Sequence, residues 1–294
     1  MNPPANVLPA LLAALLWGGG DFSGGMGVKH AGGTLRAALR IVLLSHFTSF
    51  SFLLLTAWLR HDPFPHGAPL FWGIGAGVAG GLSLTAFYIA LSRGAMGASA
   101  AISGLLAAAI PAAVSIASSG SPGLLRLAGF VIAGASIWII AAGPNPENEP
   151  SASAGNSTLW LAILSGAGFG IYFVALNFAG SSGLIWPMAT ARMGSLTTCT
   201  LLLLISSARL PSEPLRLPRL AIVWALSTAL LDTSGNLLFI AATRAGRLDI
   251  AAVLASLYPA STILLAAWTL RERPTRRQTL GMAIAAAAVV MITL

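Results

Sequence analysis

Long apolar runs, each closed by a short polar cluster, set the pattern of this chain from end to end. The runs fall at 7–28, 35–59, 69–92, 97–118, 123–142, 158–179, 184–208, 219–243, 248–270 and 276–294. Each is about the 20 residues that a helix needs to cross a bilayer. The breaks carry turn chemistry, as in His61-Asp62-Pro63-Phe64-Pro65, Ser119-Gly120-Ser121-Pro122, Leu210-Pro211-Ser212-Glu213-Pro214 and Arg271-Glu272-Arg273-Pro274. The pattern predicts an all-α membrane protein of ten transmembrane helices. Only helices and closed barrels satisfy their own backbone in hydrocarbon, and these runs are too long and too evenly apolar for the alternation of a barrel. Composition agrees: of 294 residues, 56% are hydrophobic and 8% charged, with a mean hydropathy of +0.83. A soluble domain carries about 25% charged residues. Met1-Asn2-Pro3-Pro4-Ala5-Asn6 has no basic residue ahead of the first run, and that run is too long for a signal-peptide core, so it counts as the first span.

The longest break contains Pro144-Asn145-Pro146-Glu147-Asn148-Glu149-Pro150 and then Ser, Ala, Gly and Asn. It is read as a linker over 144–157 between a first unit, 1–143, and a second, 158–294; Asn156-Ser157-Thr158, formally a glycosylation acceptor, is taken as part of that linker. Sliding the chain against itself by 152 residues lays Trp17-Gly18 over Phe169-Gly170, Arg40 over Arg192, Trp72 over Trp224 and Gly129 over Gly281. Pro111 and Pro259 correspond after a local gap. Landmarks on one offset, spread over four of the five helices of each half, predict an internal repeat. Five is odd, so the second half enters the membrane from the opposite side. Inverted repeats of this kind place a site near the midplane between the halves and permit alternating access.

The net charge of +8 does not point to nucleic acid, because the arginines lie singly or in small groups at the ends of apolar runs and form no basic stripe. Cys199 is the single cysteine, so it makes no internal disulfide; it reads as a small buried hydrophobe. No metal-ligand cluster and no nucleotide-binding loop appear, and no cofactor is expected. The partners expected are a small-molecule substrate and the lipid bilayer, with the chain working as a monomer.

Ionisable groups inside spans are functional candidates by default. Here they are Asp21, Arg40, His46, Arg192 and Asp232. Asp21 and Asp232 read as proton-titrating or amine-binding carboxylates facing a cavity; the plainer alternative is a structural ion pair with Arg40 or Arg192. The two arginines, equivalent under the repeat, read first as structural and second as receptors for a substrate carboxylate. Trp17 and Asp21, four residues apart, share a helix face, as Phe169 and Tyr172 do. With Phe87, Tyr88, Asn236, Phe239 and Tyr258 they could line an aromatic cavity with a few polar handles, or else pack against lipid and neighbouring helices. The substrate-binding residues expected are Trp17, Asp21, Tyr88, Tyr172, Asp232, Asn236 and Tyr258. Trp72, Trp160, Trp186 and Trp268 lie near span ends and read as interface anchors. Glycine is crowded between Gly18 and Gly25, which should loosen or kink the first helix.

Trp17-Gly18 followed by Phe22, an Arg opening the second helix of each half, a Pro in the fourth of each, and Leu270-x-Glu272 with Thr275, Gln278 and Gly281 together resemble the drug/metabolite transporter superfamily, in particular its EamA-type ten-helix exporters. The first half departs from that pattern, with Ser119-Gly120 where the second has Glu272. The resemblance implies a multi-pass protein of the bacterial inner membrane that exports amino acids or related metabolites, with a cavity lined by helices one, three, four, six, eight and nine. The aromatic residues look most like the YddG-like exporters of aromatic amino acids. A multidrug or other metabolite exporter of the same fold is the alternative. Gly18-Gly19-Gly20-Asp21 also matches the Gly-x-Gly-Asp of intramembrane aspartyl proteases, but those need a second Asp in an earlier helix, so an enzyme is not expected. The Lys and Arg bias puts the termini outside, the resemblance puts them in the cytoplasm, and orientation stays open.

Overall fold

A computed structural model describes residues 4–93, 96–141, 156–209, 216–269 and 275–294. The chain forms α1 (Val7–His30), α2 (Leu35–Leu59), α3 (Ala68–Ser92), α4 (Met96–Ser119), α5 (Leu124–Ala141), α6 (Asn156–Ala179), α7 (Ile185–Arg209), α8 (Arg219–Ala245), α9 (Leu248–Ala255), α10 (Tyr258–Thr269) and α11 (Arg276–Thr293). Among the described residues there is no strand. Among the described residues, seven helices are long and apolar enough to cross a membrane, and shorter apolar helices at Leu124–Ile139, Leu248–Thr262 and Thr279–Thr293 lie at the other three expected spans.

Local chemistry fixes the ends. Thr34 caps α2, its Oγ1 accepting from Ala37 N at 3.1 Å. Pro69 occupies the first turn of α3, where its missing N–H costs nothing. Gly120, Gly123 and Gly183 supply positive φ in the turns after α4 and before α7. Inside the spans, serine and threonine hydroxyls turn back on their own helices, as Ser83 does to Ala79 O at 2.7 Å and Ser136 to Ala133 O at 2.7 Å, so few of them ask for outside partners.

One expectation about helix continuity needs correction. The ninth span is two helices, not one. Pro259 has no N–H to give the carbonyl of Ala255, and the chain turns through 256–257, with Leu257 N bonding Leu254 O at 3.3 Å and Ala260 N bonding Leu257 O at 3.0 Å. The Ser256 carbonyl faces Gly104 of α4, where a methyl group would sit 3.2 Å away. The first span, by contrast, is unbroken through its glycines. Gly18 lies against Ser261, Gly20 against the backbone of Asp232 and Gly24 against Tyr88, so these residues serve close packing. The linker expected over 144–157 lies outside the described residues except for Asn156 and Ser157, which open α6. Leu270 and Glu272 also lie outside them.

The packing shows the repeat. α1 runs along α8 as α6 runs along α3, and α4 packs on α6 as the α9–α10 span packs on α1. The pairs α2–α7 and α5–α11 map onto themselves, so a pseudo-two-fold axis passes between them. Large apolar side chains such as Trp58, Phe71, Leu204 and Leu230 stand exposed around the outside, while Phe87, Tyr88 and Phe239 are fully buried at the centre. The chain is an integral multi-pass membrane protein of two inverted five-helix repeats.

Candidate substrate site

The centre holds two adjoining cavities of about 40 and 30 Å³, which share Leu84, Phe169, Tyr172, Asp232 and Asn236. The first is completed by Trp17, Asp21, Phe173 and Tyr258, and the second by His46, Arg192, Ser195 and the small residues of α3 and α7. Six of the seven expected residues therefore line one space. Tyr88 stands apart: it is fully buried with its ring end against Gly24, and lines neither cavity. α4 contributes no lining residue to either, whereas α2 and α7 do.

An aromatic stack walls one side. Trp17 lies parallel to Phe173, with ring centroids 4.9 Å apart, and Phe239 closes on both at 5.4 and 4.7 Å. Gly235 leaves room for the Trp17 indole, since a Cβ there would overlap it. Phe87, fully buried, meets Phe169 edge-on at 5.7 Å and Tyr258 edge-on at 6.4 Å. The Tyr258 hydroxyl donates to Ala100 O at 3.4 Å.

The opposite wall is a polar network. Arg192 pairs with Asp232, donates from Nη1 to His46 Nε2 at 2.7 Å and from Nε to Ser49 Oγ at 3.0 Å. A guanidinium only donates, so His46 Nε2 accepts. The imidazole proton is therefore on Nδ1, which donates to Ser195 Oγ at 2.7 Å. Thr233 donates to Ser49 at 2.6 Å. Asn236, one turn after Asp232 on α8, donates Nδ2 to Asp232 Oδ1 at 3.1 Å, and accepts from the Tyr172 hydroxyl at 2.7 Å. Both oxygens of Asp232 are thus engaged, which is unlike the proton-sharing carboxylate pair of an aspartyl enzyme.

Asp21 differs. It is half-buried, it faces the cavity, and among the described residues no ion pair or hydrogen bond holds it. Its charge and that of Asp232 repel across the same space. Arg40, the repeat counterpart of Arg192, is half-buried and lines neither cavity. Trp72, Trp160 and Trp268 are exposed near span ends, as anchors should be; Trp186 is not, because it is buried, donates to Asp62 O at 2.9 Å and meets Phe64 edge-on.

The sequence reading missed Phe173, Leu84 and Ser195 as lining residues, and Ser49 and Thr233 as the scaffold of Arg192. Arg192 and Ser195 share a face of α7, and His46 and Ser49 share a face of α2, a pattern of polar residues at three-residue spacing inside apolar spans. That spacing was the available signal.

Residues 156–294 match the EamA-like transporter family. The second half is thus similar to a family of membrane transporters. A solved crystal structure superposes with a TM-score of 0.71 at 17% identity, over 98% of this chain and 96% of its own, and so shares the fold across both halves. No curated protein matches the sequence. Gly24 gives a direct check on how the core is packed. Gly24→Ala should drive the buried Tyr88 ring out of place and destabilise the protein by about 1–3 kcal/mol, the usual range for overpacking. In the double variant with Tyr88→Leu, the melting temperature should fall by less than the sum of the two single effects.

Proposed function

We propose that the chain is a secondary transporter that exports amino acids or related amine-bearing metabolites, aromatic ones among them, by alternating access. The observation that carries this reading is Asp21, a carboxylate without a partner among the described residues, in the wall of an otherwise self-neutralised cavity. Arg192 and Asp232 cancel, His46 is neutral by its hydrogen bonds, and the cavity is left with one negative charge. A carboxylate at mid-membrane is costly, by roughly 2.5–3.5 kcal/mol on the insertion scale, unless something positive meets it. A substrate ammonium or a proton fills that need. The stack of Trp17 and Phe173 and the rings of Phe169 and Tyr258 supply an apolar body for a side chain, and rings facing a cation add cation–π attraction. The halves 1–143 and 158–294 then rock about the pseudo-two-fold axis to expose the site to each side in turn.

The test is uptake and counterflow of radiolabelled aromatic and aliphatic amino acids in proteoliposomes, with and without an imposed pH gradient. Accumulation of an aromatic amino acid, enhanced by the gradient, is the expected result. No movement of any amino acid would sink the amino-acid assignment and turn the search to other metabolites and drugs.

A further inference from the structure

We propose that the Arg192–Asp232 pair is a docking dipole for zwitterions: the substrate carboxylate takes the place of Asp232 on Arg192, and the released Asp232 joins Asp21 in holding the substrate ammonium. The inference rests on the amine-transport reading above and adds the second charge of the substrate to it.

Four observations lead to it. First, Arg192 is held without Asp232: Ser49 takes Nε at 3.0 Å, His46 takes Nη1 at 2.7 Å, and Thr233 stands 3.4 Å from Nη2. Second, Asp232 is braced without Arg192, by Asn236 at 3.1 Å, and Asn236 is fixed in turn by Tyr172 at 2.7 Å. The pair can therefore open without either side chain losing its seat. Third, the arginine contacts on the cavity side are those to Asp232 and His46, which line the same cavity as Arg192 while Ser49 and Thr233 do not, and of the two only Asp232 is a carboxylate that a substrate carboxylate can replace. Fourth, Asp232 also lines the cavity that contains Asp21, so it stands between the cation and the second carboxylate.

Charge pairing then sets the order of preference. With the site empty, Arg192 and Asp232 neutralise one another, which avoids the heavy cost of a lone buried charge. An amine alone meets Asp21 and leaves the pair closed. An acid alone gains Arg192 only by leaving Asp232 and Asp21 both without a counter-charge. A zwitterion leaves the cavity's single negative charge in place but is held at both ends: its carboxylate takes the charged hydrogen bonds of Arg192, and its ammonium is shared by Asp232 and Asp21. The pair thus acts as an internal copy of the missing substrate groups, and the substrate must carry both to replace it.

The experiment measures binding to the purified full-length protein by calorimetry, and counterflow in proteoliposomes, with matched probes. These are phenylalanine, phenethylamine and 3-phenylpropanoate, and the leucine series leucine, isopentylamine and 4-methylpentanoate. In the unmodified protein one of the amino acids should bind at least about tenfold more tightly than its amine, and the acid most weakly, as a charged hydrogen bond implies. Asp232→Asn frees Arg192, so the acid should gain about tenfold relative to the amine. Because Asp232→Asn alone leaves Arg192 uncompensated and can fail to fold, Arg192→Gln combined with Asp232→Asn provides the neutral control. In that double variant the amino acid should lose its advantage over the amine. Equal affinity for amino acid and amine in the unmodified protein, or an advantage that survives in the double variant, overturns the docking dipole and leaves the amine transporter standing. No binding or movement of any probe overturns both.

Discussion

Replacing Asp21 with Asn should remove transport by a factor of about 100 or more, equivalent to roughly 2.7 kcal/mol in the rate-limiting barrier, while the protein melts at the same temperature or higher. The two halves of that result belong together. A side chain that holds the fold loses stability when it is changed, because its partners are left buried and unsatisfied. Asp21 has no such partners among the described residues, and it faces the cavity beside Trp17 and Tyr258. Asn keeps the shape and the polarity and removes only the charge, so the fold should be indifferent or relieved of repulsion from Asp232. Transport should not be indifferent, since the lost charge is the one available to meet a cation. Asp21→Glu should restore part of the activity, because it restores the charge at the cost of reach. Detergent melting curves and counterflow on the same preparations make the comparison. A variant that melts earlier and still transports would assign Asp21 to the fold and remove the basis of the amine reading.

Asp21 was legible in the sequence because ionisable residues in apolar spans are rare enough for each to stand out. The position of Asp232 was legible for the same reason, but its state was not. The sequence left it between a free carboxylate and an ion pair with either arginine, and the pair with Arg192 spans 40 residues and two helices. The repeat could not choose between Arg40 and Arg192, because a backbone offset of 152 residues treats them alike. What separates them is their neighbours. Arg192 meets His46 and Ser49 from α2, and no spacing within α7 announces those residues.

The same offset explains why the site is asymmetric while its frame is not. Asp21 corresponds to Phe173, and Asp232 corresponds to Gly80. All four positions line the joined cavities. The pseudo-two-fold packing thus presents the same backbone sites from both halves, and the residues on them differ: a carboxylate against an aromatic wall, and a carboxylate against a glycine that makes room for Tyr172. An inverted repeat with identical residues would offer a symmetric site to an asymmetric molecule. Here the frame can rock symmetrically while the chemistry tells one end of a substrate from the other.

Helix positions came through well because hydropathy and turn residues act locally, whereas continuity depends on what lies opposite. Pro111 and Pro259 correspond under the repeat, yet α4 runs through Pro111 and the ninth span breaks before Pro259. The glycines of α1 pose the same problem in reverse: their helix is straightforwardly continuous because Ser261, Asp232 and Tyr88 press against the faces that lack side chains. Glycine spacing alone does not distinguish a kink from a close contact.

The largest structural effect should come from another pair of glycines, where α3 and α7 touch backbone to backbone. A Cβ on Gly77 would overlap the Ala191 carbonyl, and one on Gly194 would overlap that of Ile74, so each helix lends the other a glycine one turn apart. The obstacle in both cases is main chain, which cannot swing aside as a side-chain tip can. Gly77→Ala and Gly194→Ala should each destabilise by about 1–3 kcal/mol despite the roughly 0.8–1.0 kcal/mol by which alanine favours a helix. Leucine at either position should prevent folding. Gly75, two residues from Gly77 on the exposed side of α3, has nothing within 4 Å of its missing Cβ. Gly75→Ala should therefore be neutral or stabilising by the propensity gain alone. The contrast separates close packing from helix propensity within one helix. Function should follow the packing, because Ala191 precedes Arg192: a methyl group that wedges α7 away from α3 also draws the guanidinium from Asp232 and opens the pair before any substrate arrives. Gly77→Ala should accordingly lose discrimination between an amino acid and its amine at temperatures where it is still folded, and Gly75→Ala should keep it. Equal melting temperatures and equal discrimination in the two variants would mean that the α3–α7 contact neither supports the fold nor positions Arg192.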